Sequence, residues 1–107
     1  MLFRSDIAMI IERFKRVRRF NFKAGEIDRV VPWRSLVKEG DVIAVRFEDE
    51  REYRNIGVLA GDTKRNGELD GEDLVLHAGP YPLAYHPLKD AGFDGHVVVL
   101  RLDPKRR

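Results

Sequence analysis

Between Asp62 and Asp73 the chain places side-chain oxygens at a spacing that suits a hard cation. With Asp62 taken as the first position of a calcium loop, Asn66 falls at the fifth, Glu68 at the seventh, Asp70 at the ninth and Asp73 at the twelfth. Calcium needs six to eight oxygens around one point, and Gly67 at the sixth position permits the sharp turn that gathers them. Lys64 stands at the third position, where the pattern wants Asp or Asn; an ammonium repels a cation and donates no lone pair. Two readings stay open. Asp62, Asn66, Glu68, Asp70 and Asp73 hold calcium, or the segment is a polar hairpin connection around an Asn66-Gly67 turn whose charges remain solvated.

The other chemistry-bearing residues lie on apolar runs. Three segments follow one another: Gly40-Asp41-Val42-Ile43, then Asn55-Ile56-Gly57-Val58-Leu59, then Leu74-Val75-Leu76-His77-Ala78-Gly79. The ordered trio resembles the second half of the NlpC-type, papain-like cysteine peptidases and amidases, over roughly residues 5–102. The loop between the last two segments resembles EF-hand loops, in particular the dockerin-like kind with Asp at the twelfth position. The NlpC resemblance implies hydrolysis of amide bonds in cell-wall peptides or similar substrates through a thioester, with a peptide or peptidoglycan-like partner and a bacterial cell-envelope or secreted setting.

In that family a Cys at a helix N-terminus is the nucleophile, a His on a neighbouring strand takes its proton, and a third polar residue on the next strand orients the His. Carried over, Asn55 occupies the position of the base and His77 the orienting position. Ser5-Asp6-Ile7 matches the residues after the nucleophile, which leaves Arg4 where the Cys belongs. The chain has no Cys at all, and an Asn amide has no useful basicity near neutral pH. The expectation is therefore an NlpC-type domain that is inactive as it stands; the alternative is a non-catalytic module that binds a peptide or glycan.

Positioning such a site needs a helix and a sheet. Ile7, Ile10, Ile11, Phe14 and Val17 recur at helical spacing, which predicts an amphipathic helix over residues 6–19 with Ser5 as N-cap. Its N-terminus would aim at Asn55 and His77. Strands are predicted at Asp41–Phe47, Arg54–Ala60, Asp73–Ala78 and Gly95–Leu102, with a short edge segment at Leu83–Tyr85. Residues 26–40 read as irregular, with a helical turn at Ser35–Val37. The expected fold class is α+β: an N-terminal helix packed on a small, mostly antiparallel sheet or half-barrel. At 107 residues this is a single domain, 1–107, read as a fragment lacking the front of a papain-like domain.

Composition narrows the rest. Without Cys there is no disulfide scaffold and no thiolate zinc site. No apolar run reaches the roughly 18 residues of a membrane span. Residues 1–40 carry ten Lys and Arg against five Asp and Glu, the remainder ten against thirteen, so the halves are +5 and −3. Arg13, Lys15, Arg16 and Arg19 could serve a nucleic-acid surface, but a solvated helix face explains them equally, and nucleic acid is not the expected partner. His77, His86 and His96 lack the short spacing of a metal site. Trp33 is read as a core residue, with a groove shared with Tyr81 and Tyr85 as the other reading.

Overall fold

In the computed structural model, residues 12–46, 53, 55–77 and 82–103 are described. They form seven strands: β1 (Phe14–Lys23), β2 (Glu26–Ile27), β3 (Val42–Arg46), β4 (Asn55–Gly61), β5 (Leu74–His77), β6 (Ala84–Pro87) and β7 (Gly95–Leu102). A single 3-10 turn at Leu88–Asp90 precedes β7. The strands make one sheet in the order β2-β1-β7-β3-β4-β5-β6, every neighbouring pair antiparallel, curled into a half-barrel.

The α+β expectation is wrong. Residues 14–19, assigned above to the amphipathic helix, are strand, and no α-helix is among the described elements. Helical spacing was satisfied by Phe14 and Val17, but from residue 18 onward the pattern has a period of two. Phe20 and Phe22 are buried while Arg19, Asn21 and Lys23 are exposed. β7 supplies the partner that settles the matter: Arg18 through Phe22 pair with Val99 through Gly95 after a register shift at Arg16/Arg18. A β-branched strand stabilises its neighbour through cross-strand side-chain pairs, and that non-local gain outweighs a local helical preference. Ser5 and residues 6–11, including Ile7, Ile10 and Ile11, lie outside the described residues.

Strands β3 to β7 follow the sequence reading within a residue or two, and β7 matches it end to end; β2 lies in residues 26–40, which were read as irregular, and pairs with the end of β1. Phe47, Arg54 and Ala78 lie outside the described residues. β6 runs on to Pro87, which an edge strand tolerates because it has no neighbour on one side. Residues 34–36 form a tight turn rather than a helical one: Trp33 bridges Val37, and Arg34 donates to the Val37 carbonyl at 2.6 Å.

The main core lies on one sheet face, where Phe20, Phe22, Ile43, Val45, Val97 and Val99 meet Trp33, Leu69, Leu88 and Phe93 from the connections. Ala44, Val98 and Leu100 form a smaller buried cluster on the other face, so β3 and β7 are apolar on both sides, as central strands are. At one end of the core Asp41, 3% exposed, accepts from Arg101 Nε at 2.8 Å and Nη2 at 2.7 Å, and from the Lys38 amide at 2.8 Å. Among the described residues no helix is long and apolar enough to cross a membrane.

Candidate functional site

Asn55 opens β4 and His77 closes β5, the adjacent strand. His77 pairs with Gly57, so Asn55, two residues from Gly57, shares its sheet face at a diagonal position. The equal parity in the sequence predicts that shared face. The surroundings were not legible. Asn55 Nδ2 donates to the Ala91 carbonyl at 2.9 Å and to the Gly92 carbonyl at 3.2 Å, and Oδ1 accepts from the Ile56 amide at 3.0 Å. The amide therefore clamps the connection between β6 and β7 to β4. That connection also supplies Phe93, which stands edge-on to the His77 ring at a centroid distance of 5.8 Å.

Phe93 needs Gly57 beneath it. A Cβ at residue 57 would lie 2.6 Å from Val75 Cγ1 and 3.2 Å from Phe93 Cζ. His86, reached from β6, stands edge-on to His77 at 5.8 Å. Burial, and then the charge of His86, push the His77 pKa below its usual 6.5. Its Nδ1 is buried with no hydrogen-bond partner among the described residues. Arg4, Ser5 and Asp6, the residues at the expected nucleophile, lie outside the described residues.

The oxygen-rich loop is organised by its own hydrogen bonds. Asp62 Oδ2 accepts from the Gly67 amide at 2.9 Å, and Gly67 has the positive φ of 78° that the turn requires. Asn66 donates to Asp70 Oδ2 at 2.8 Å and accepts from the Glu68 amide at 3.1 Å. Asp70 Oδ1 accepts from the Glu72 amide at 2.9 Å. Asp73 is fully buried. Its Oδ1 takes the Thr63 amide at 2.9 Å, and its Oδ2 takes the Trp33 indole at 2.8 Å and the Asp70 amide at 2.9 Å. Burial pushes the Asp73 carboxyl upward, opposed by the pull of the Trp33 indole and the Asp70 and Thr63 amides.

Calcium fits this arrangement poorly. Asp62 Oδ1 is buried without a partner among the described residues, as a ligand oxygen would be, but both oxygens of Asp73 already serve N–H groups, and Lys64 occupies the third position of the loop and is exposed. Among the described residues no group of three or more His, Cys, Asp or Glu side chains converges as a metal site would. Trp33 is a core residue, 6% exposed. Tyr85 is exposed on β6 and Tyr81 lies outside the described residues.

The opposite sheet face holds a feature the sequence reading missed. Asn21, His96 and Arg46 form one row across β1, β7 and β3, and Arg19, Val98 and Ala44 form the next row on the same face. With Tyr53 and Arg29 they line a groove of about 180 Å³. Reading residues 14–19 as helix hid it, because only strand pairing brings Arg19, Arg46 and His96 together. Family models, curated proteins and solved structures were each compared with the chain, and none matches.

Proposed function

We propose that this chain is a non-catalytic relative of the NlpC-type amidases, a domain that holds a peptide or glycan of the cell-wall kind without cleaving it. The observation that carries the reading is the tethering of Asn55. The residue at the position of the family's base is an amide, and its N–H groups are committed to the Ala91 and Gly92 carbonyls. An amide accepts no proton near neutral pH. Support for the scaffold comes from the order of the motifs: their strands β3, β4 and β5 are consecutive neighbours in the sheet, as a base on one strand and its orienting residue on the next require. His77 keeps the orienting position but has no imidazole to orient.

The test uses the purified chain with cell-wall-derived peptides. Calorimetry is expected to give saturable binding, while amine release stays at the uncatalysed rate. Hydrolysis that disappears in His77→Ala would overturn the non-catalytic half of the proposal. Absence of saturable binding to any such peptide would overturn the other half.

A further inference from the structure

We propose that the groove between β1, β7 and β3 binds a small ligand through a terminal oxyanion, a phosphoryl or carboxylate group. Three arginines, Arg19, Arg29 and Arg46, line it together with His96, Tyr53 and Asn21, and none of its described lining residues is acidic. A guanidinium presents a planar fork of N–H donors that matches the oxygens of phosphate or carboxylate in pairs. The Tyr53 hydroxyl adds a donor of a different reach.

The walls are held in place. Asn21 is fixed by Asp28, whose Oδ1 accepts the Asn21 amide at 2.9 Å and whose Oδ2 accepts Nδ2 at 3.0 Å. Arg29 Nε sits 3.6 Å from Asp28 Oδ1, and its side chain is half exposed, so one carboxylate occupies only part of its fork. A volume of about 180 Å³ equals about six waters at their liquid volume. That admits an oxyanion and the few atoms carrying it. The groove lies on the sheet face opposite Asn55 and His77, so it stands or falls apart from the proposal above.

The test is an amide-resolved NMR titration of the whole chain at low chloride, once with inorganic phosphate and once with acetate. Saturable shifts at Arg19, Asn21, His96 and Val97 are expected, with affinity falling about tenfold in Arg19→Gln and again in Arg29→Gln. Both arginines are exposed, so the variants should keep the native spectrum elsewhere; if the double variant does not fold, His96→Gln reads the same row. Saturation by phosphate assigns a phosphoryl ligand, and saturation by acetate alone assigns a carboxylate. The proposal is overturned if neither anion saturates, or if the shifts survive with full affinity in the arginine variants.

Discussion

Removing the Asp73 carboxylate should cost more stability than any other single change in the loop that joins β4 to β5. The side chain is fully buried and satisfies three N–H donors from three places: the Trp33 indole, the Thr63 amide and the Asp70 amide. In Asp73→Ala the indole, buried with its residue, loses its acceptor outright, at about 1–3 kcal/mol. The two amides lie nearer water and recover part of their bonding, so each adds about 1 kcal/mol or less. Relief from desolvating a carboxylate offsets some of the total. The balance is about 2–4 kcal/mol, a large fraction of the 5–15 kcal/mol typical of a domain, and it lowers Tm by about 8–20 °C at this chain length.

Asp73→Asn keeps one acceptor oxygen and should lose about half as much. Urea unfolding followed by the fluorescence of Trp33, the sole tryptophan, measures both variants. A double-mutant cycle with Trp33→Phe, followed by circular dichroism, isolates the indole bond. A loss below about 1 kcal/mol in Asp73→Ala, or strict additivity in the cycle, would refute the account of Asp73 as the centre of the loop.

Two further outcomes follow from the packing around β4 and β5. Gly57→Ala should destabilise by about 1–3 kcal/mol through overpacking against Val75 and Phe93; calorimetry that finds an unchanged unfolding midpoint would show that Phe93 moves aside freely. His77 carries a pKa held below 6.5 by burial and by His86. The unfolded chain therefore binds a proton there more readily than the folded one, so this contribution is intact above pH 6.5 and is lost as pH falls through the folded value. The urea midpoint should fall between neutral and mildly acidic pH, and His77→Phe should flatten that dependence; an equally steep fall in the variant assigns the effect elsewhere.

Much of the sheet was readable along the chain because its strands are long apolar runs closed by glycines. Asp41–Phe47 and Gly95–Leu102 are short runs rich in β-branched residues, apolar on both faces and each opened at or just after a glycine, which reads as central strand, and β3 and β7 lie where those residues are. Equal parity allowed Asn55 and His77 to share a face if their strands paired as a hairpin, and the Gly57–His77 register is what puts them there. The first strand was misread because Phe14 and Val17 stand at helical spacing, although they pack on opposite faces of the sheet, and what overrides that spacing is the pairing with β7, about 80 positions away. The Asp41–Arg101 pair and the groove lined by Arg19, Arg46 and His96 were unreadable for the same reason.

What residue order determined by itself is local: where apolar runs start and stop, where Gly67 allows a left-handed turn, and that these residues include no Cys. What only the tertiary structure decided is who receives each polar group. Asp62 through Asp73 offers the oxygen spacing of a cation loop, yet Asp73 spends both oxygens on N–H groups, one from Trp33, forty residues away. Asn55 spends its amide on carbonyls beyond β6. A buried donor or acceptor must find a partner wherever the fold brings one near, and that distance in sequence carries no local signal.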